Sequence, residues 1–426
     1  MLAAHIHQRI HFICLCLLVL TLPFLVFPAL NSISLVLLVI NWLCSLDFRQ
    51  KLLYWRKQPV VWLTVSLCFA YFISGLYSTN TAAWLAAAHM KLHILAAPLV
   101  ILTSKPISTR QWHQLLSLFV LAVMLATFVD FAVAFYKHYQ YNQFQYWQPS
   151  FFFYHPLAYT LQHAGYTSLY INFCLVILGI FILQTPATKR KKLLGALLIL
   201  YFTGFLLLLG SRTSLLTFIL LLLSFFILLF KQRHLLKVGV VMLVAAVSIS
   251  IVVIALSQPL QVRLRSLLTE TASTSQIKID GKQDYSMGRS WDGIPLRIAL
   301  WRCAWEAIQD APPLWGVGAG DIKEVLNEVY KEKKFRFAYY KGRHFGPHNQ
   351  YLSTWLELGL IGIGLLLSIL FVPLYQAFRY KNYLCFHFLI LVGIFMFSES
   401  IFNVQKGIGF FSLFYALSVH QIMVRE

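Results

Sequence analysis

The sequence predicts an all-α polytopic membrane protein of about twelve transmembrane helices, interrupted once by a large outer loop. Three observations predict it. Of the 426 residues, 59% are hydrophobic and only 12% charged, more apolar surface than a soluble domain can bury. Apolar runs long enough to cross roughly 30 Å of hydrocarbon recur along the chain. Basic residues gather between alternate runs.

The runs fall at about 11–28, 30–46, 60–77, 82–103, 112–136, 161–183, 192–209, 214–230, 237–257, 349–375, 384–403 and 406–423. Pro23 and Pro28 interrupt the first pair, so eleven is the alternative count. The first run passes into the second without a small-residue cleavage site and is read as a retained span. Even-numbered runs lead into basic segments: Arg49, Lys51, Arg56 and Lys57; Lys105 and Arg110; Lys189 to Lys192; Lys231, Arg233 and Lys237; Arg379 and Lys381. The opposite loops carry few such residues, with Lys137, Arg212 and Lys406 as exceptions. The positive-inside rule then puts both termini in the cytoplasm and the 258–348 segment outside. The chain divides into a membrane region 1–257, a loop 258–348 and a second membrane region 349–426. Much of the net charge of +20 is thus a topology signal and not a polyanion footprint. None of the seven cysteines stands in a CxxC pair, so neither a structural disulfide nor a zinc site is expected.

Within the large loop, residues 270–288 are polar and turn-rich. Trp301, Ala304, Trp305 and Ile308 then fall at i, i+3, i+4 and i+7, the spacing of an amphipathic helix. Its tryptophans suit the headgroup zone, with Arg297 one turn earlier on the same stripe. Pro312-Pro313 closes that helix. The Gly316-x-Gly318-x-Gly320 turn reads as structural, because no strand precedes it and no α/β unit surrounds it. Asp321 to Lys334 suits a second surface helix. The basic, aromatic run from Phe335 through Lys341, Arg343 and His344 suits sugar stacking and phosphate contact, and equally an ordinary interfacial loop.

That run ends at Pro347-His348-Asn349, where a polar loop becomes an apolar helix. Gly359 lies 11 residues beyond His348, about three turns, so the two are expected on one helix face. Gly359 and Gly362 would admit a close neighbouring helix.

Charges inside a bilayer are costly and by default paired or functional. Lys91 on the fourth run and Asp130 on the fifth lie at similar depth and are expected to pair. Glu399 lies near the outer end of the eleventh run, and Glu357 on the tenth is a packing or partner residue. Arg212, in Gly210-Ser211-Arg212-Thr213, stands where Ser211 or Thr213 can cap the next helix. An arginine beside a helix N-terminus suits an anion, pyrophosphate above all, though it also suits simple membrane anchoring. His163 and Tyr166 open the sixth run without an assigned role. Together Arg212, Arg297, His348 and Glu399 suit glycan transfer from a lipid-linked phosphate donor. The arginines would stabilise the departing phosphate without a metal, and the imidazole would take a hydroxyl proton.

These residues resemble the O-antigen ligase family, within the wider group of O-antigen ligases, polymerases and O-oligosaccharyltransferases. His348-Asn349, nine residues, then Gly359-Leu-Ile-Gly362 fits its hallmark. Arg297-x-x-x-Trp301 followed by Pro313 and Gly316-x-Gly318 fits its loop, and Gly-Ser-Arg212-Thr its helix start. The resemblance covers about Arg212 to Glu399, where Glu399 stands in place of the usual aspartate. It implies a metal-independent, cofactor-free glycosyltransferase of the bacterial inner membrane with a large periplasmic loop. Such an enzyme moves a glycan from undecaprenyl pyrophosphate to a lipid A–core sugar at the periplasmic face. His348 would be the base, Arg212 and Arg297 pyrophosphate binders, and Glu399 the late acidic residue. Lys91, Asn349, Arg343 and Tyr166 complete the candidate substrate contacts. A polymerase or a protein-directed oligosaccharyltransferase would use the same donor chemistry. A lipid-linked glycan transporter is the alternative of another class, and would need no base at the outer surface.

Overall fold

The computed structural model describes residues 2–24, 28–45, 48–143, 149–184, 188–231, 244, 293–339 and 344–423. All regular structure among them is helical. The helices are α1 (Leu2–Thr21), α2 (Pro28–Cys44), α3 (Phe48–Lys57), α4 (Pro59–Ile73), α5 (Thr81–Thr103), α6 (Thr109–Asn142), α7 (Ala164–Gln184), α8 (Lys189–Leu209) and α9 (Arg212–Lys231). After the large loop begins, α10 (Gly293–Asp310), α11 (Ile322–Glu332), the one-turn α12 (Arg336–Tyr339), α13 (Gln350–Arg379), α14 (Tyr383–Met396) and α15 (Gln405–Met423) follow. Six of these are long and apolar enough to cross a membrane: α4 with its terminal 3-10 turn, α5, α6, α7, α8 and α13. Shorter apolar helices occupy α1, α9 and α14. The chain is therefore a multi-pass membrane protein. The expected ninth run, 237–257, apart from residue 244, the loop to 292 and Arg343 lie outside the described residues.

Local chemistry sets the helix ends. Asn80 and Asn382 accept N–H bonds from Ala83 and Cys385, Ser108 and Gln111 form a reciprocal capping box, and Gly210 closes α8 in the left-handed region. α7 is buried continuously from Ala164 to Gly179, as a helix that is apolar all round should be. Around it Phe119, Phe173, Phe388, Phe410 and Phe414 interlock with ring centroids 4.6–6.4 Å apart.

Three expectations are corrected. The buried stripe of α10 is Leu300, Cys303, Ala304, Ala307 and Ile308, packed with Leu326 and Tyr330 of α11 and with Leu356. That is also an i, i+3, i+4, i+7, i+8 series. Its small residues allow close approach, and the bulky Trp305 sits beside it, edge-on to Trp355 at 5.5 Å. The eleventh run is helical only to Met396, and Glu399 lies in the turn beyond. There Ser398 and Glu399 both donate their N–H groups to Phe395 O, closing the helix.

The third correction concerns α13. His348 precedes the helix, and Gly359 breaks it with φ 62° and ψ −154°, so the two do not share a helix face. The break is filled by the glycine-rich turn of the large loop and not by a neighbouring helix. Val317 and Gly318 donate to the carbonyls of Leu356 and Glu357 (2.9 and 3.0 Å). Leu360 and Ile361 donate to those of Pro313 and Leu314 (2.9 and 3.1 Å). Irregular backbone at membrane depth is tolerated where protein satisfies it, and this splice does so from both sides. A Cβ on Gly316 (φ 68°) would lie 2.4 Å from Leu356 O, and one on Gly359 2.4 Å from the backbone of Leu314. Gly316→Ala and Gly359→Ala are therefore expected to lower the melting temperature in detergent. Gly364→Ala, with nothing within 4 Å, is expected to leave it unchanged or raise it.

Candidate functional site

His348 is delivered by the turn into α13. Its backbone adopts φ 47°, uncommon outside glycine, though histidine tolerates it better than most residues. Asn349 is the N-cap, its side-chain oxygen accepting from Tyr351 and Leu352 at 2.9 and 3.1 Å. This gives a physical reason for a small polar residue directly after the histidine. The same two residues that start α13 hold the turn after α14. Asn349 N–H donates to Ser400 Oγ (3.2 Å), and Phe402 N–H donates to Gln350 Oε1 (2.7 Å).

Glu399 is thereby brought under the imidazole. Its Oε2 lies 3.3 Å from His348 Nδ1, and its Oε1 accepts from Arg297 Nη2 at 2.8 Å. The carboxylate is 7% exposed, whereas the Arg297 and His348 side chains are 28% and 36% exposed. One shielded anion thus orients two groups that face outward. An ionised carboxylate requires a proton on Nδ1, which leaves Nε2 as the free acceptor. The guanidinium carries five N–H donors, so the bond through Nη2 commits only part of it.

Two more cationic or titratable groups surround Glu399. His163, just before α7, stacks edge-on with His155 and with Tyr166, both at 5.1 Å. Lys406 in the first turn of α15 donates to Leu161 O (2.9 Å) and stands 4.9 Å above the Tyr166 ring. Burial acts to raise the Glu399 pKa, but the hydrogen bond from His348 and the attraction of His163, His348 and Arg297 outweigh it and hold it below the usual 4.5. Burial lowers His163 from 6.5 to about 4, aided by Lys406, His155 and His348 against the pull of Glu399. Between pH 6.5 and about 4 the unfolded chain therefore binds more protons at His163 than the folded one. Below 4.5 the same holds at Glu399. Both contributions are lost on acidification. The melting temperature is expected to fall as pH drops below 6.5, and His163→Asn should make that fall smaller.

The other sequence candidates separate. Arg212 opens α9 directly after Ser211, whose carbonyl accepts from Leu215 N–H at 2.9 Å; its side chain lies outside the described residues. Tyr166 is packed at 2% exposure against Phe395. The expected Lys91–Asp130 pair does not form. Lys91 donates to Phe402 O (2.8 Å) and to Asn403 Oδ1, while Asp130 accepts from Thr160 N–H at 2.7 Å. Equal depth in two helices does not make neighbours, and each charge finds the loop that folds over it. Sequence reasoning gave His163 no role and passed over Lys406 as a topology exception. The available signal was a histidine and a lysine on the loop side with few other cations.

Residues 196–367 match the O-Antigen ligase family. Over that segment the chain is similar to the O-antigen ligase/polymerase superfamily. The match runs from α8 through the first half of α13. It includes Arg212, Arg297, His348 and the α13 splice, and stops before Glu399. No curated protein matches the chain. That likeness, with the apolar helices, supports a ligase- or polymerase-type membrane enzyme at the coarse level.

Proposed function

We propose that the chain is an O-antigen ligase. It would transfer a glycan from undecaprenyl pyrophosphate to a sugar hydroxyl of lipid A–core at the periplasmic face of the inner membrane, with both termini cytoplasmic. The observation that carries this reading is the Arg297–Glu399–His348 constellation, assembled from residues 102 and 51 positions apart around a single shielded carboxylate.

The acceptor hydroxyl attacks the anomeric carbon while its proton passes to His348 Nε2. The bond from that carbon to the pyrophosphate oxygen breaks, and undecaprenyl pyrophosphate departs as the anion. Glu399 fixes the imidazole tautomer and offsets the imidazolium charge as it forms. The free donors of Arg297, with Arg212 at the start of α9, meet the negative charge growing on the leaving group. Cationic side chains take the part a divalent metal plays in other pyrophosphate chemistry, so transfer is expected to persist in EDTA. A chain-extending polymerase would perform the same bond exchange, and the acceptor alone distinguishes them.

The test is transfer in detergent with EDTA, offering lipid A–core, a growing glycan and a peptide separately. Product on lipid A–core alone supports the ligase. Product only on glycan or peptide retains the chemistry and replaces the acceptor. No transfer, with donor moved across vesicles, would make the chain a transporter.

A further inference from the structure

Directly behind the candidate site lies a buried polar chain that the mechanism does not use. Lys91 on α5, Tyr71 on α4 and Glu357 on α13 are 1%, 0% and 2% exposed. Lys91 donates to Phe402 O and Asn403 Oδ1, Asn403 Nδ2 donates to Ser353 Oγ (3.1 Å), and Ser353 Oγ donates to Glu357 Oε1 (3.4 Å). Tyr71 donates to Glu357 Oε2 at 2.9 Å, and Lys91 Nζ sits 4.9 Å above the Tyr71 ring. The two charges are thus joined through Asn403 and Ser353.

The pivot of this chain is the 3-10 turn Ile401–Asn403. Phe402 has its carbonyl held by Lys91 from α5 and its N–H held by Gln350 from α13. Glu399 lies three residues before Phe402, and His348 two residues before Gln350. The same two anchors therefore set where the carboxylate stands relative to the imidazole. The far end of the chain is fixed as well, since the Glu357 carbonyl accepts from Gly318 N–H in the α13 splice. Charge balance alone would need only a direct Lys91–Glu357 contact. It would not need an ammonium group directed at the peptide of the active-site turn.

We propose that Lys91 and Glu357 are positioning residues that lock the 401–403 turn and so hold Glu399 against His348. This assignment rests on the transferase reading above. Glu399 is faced by Arg297 from α10, by His348, by His163 before α7 and by Lys406 of α15. A turn that loosens removes the His348 hydrogen bond first, because at 3.3 Å it is longer than the 2.8 Å bond from Arg297 to the same carboxylate.

The test compares wild type, Lys91→Met, the neutral pair Lys91→Met/Glu357→Gln and the milder Tyr71→Phe. Removing one member of a buried charge pair destabilises more than removing both, so the double variant should regain much of the melting temperature lost in Lys91→Met. Its hydrogen exchange at 398–403 should still be faster than wild type. Its kcat should be about 10–100-fold lower, the scale of an outer-shell orienting contact, with donor KM unchanged. The acidic limb of its pH profile should move up, since Glu399 loses a contact that keeps its pKa low. Tyr71→Phe removes a donor and no charge, and should shift exchange and kcat the same way by less. Wild-type kcat and exchange in the double variant would overturn the proposal and leave charge balance as the whole role. The exchange measurement does not depend on the reaction. If wild type transferred nothing, the transferase reading would fail, and exchange would still report whether Lys91 locks the turn.

Discussion

Replacing His348 with alanine is expected to lower glycan transfer by about 10²–10⁴-fold, the range of a lost general base. Folding and donor affinity should be little changed. The side chain is 36% exposed and contributes little to the core. α13 is started by Asn349, whose cap does not involve the imidazole. The φ of 47° at His348 is a modest strain that alanine tolerates less well. His348→Asn is therefore the companion variant, since asparagine also accepts the left-handed region. If both folded variants lose kcat together, the imidazole and not the backbone is responsible. The check is single-turnover transfer with donor prebound, together with a melting curve for each variant.

Glu399→Gln is expected to cost on the order of 10²-fold or more in kcat, by analogy with orienting carboxylates that hold a catalytic histidine. The isosteric amide has one oxygen and one NH2 group, but both neighbours, His348 Nδ1–H and Arg297 Nη2, are donors. If its oxygen faces Arg297, the NH2 faces Nδ1 and favours the tautomer with the proton on Nε2, which cannot accept from a hydroxyl. If its oxygen faces His348, two donors meet at Arg297. The first rotamer forfeits the base tautomer, and the second forfeits the Arg297 contact. Glu399→Asp keeps the charge but shortens the reach, and is expected to fall between wild type and Glu399→Gln. Rates for the three proteins across pH 5–8 check this. Equal kcat for Glu399→Gln and wild type would remove the carboxylate from the account.

The membrane character, the helical class and the surface helix near 322–332 were legible in the sequence. Hydrophobic run length and residue type report these directly. What was not legible depends on the third dimension. The apolar run around Gly359 gives no hint that another loop supplies the hydrogen bonds of a broken helix, because the donors lie some forty residues earlier, at Val317 and Gly318. Lys91 and Asp130 matched in depth but face different loops. The buried stripe of α10 is phased by the small residues Cys303, Ala304 and Ala307, which close packing selects over the bulkier Trp305. Both Arg297 and Glu399 were named from sequence, but only folding shows that one carboxylate serves the arginine and the histidine together.

The most direct test of the central claim is donor turnover by folded His348→Gly with and without added imidazole, in EDTA. Almost no transfer is expected without imidazole, and a rate that rises with the concentration of neutral imidazole when it is supplied. Transfer at the wild-type rate by His348→Gly without imidazole would contradict the assignment of His348 as the base.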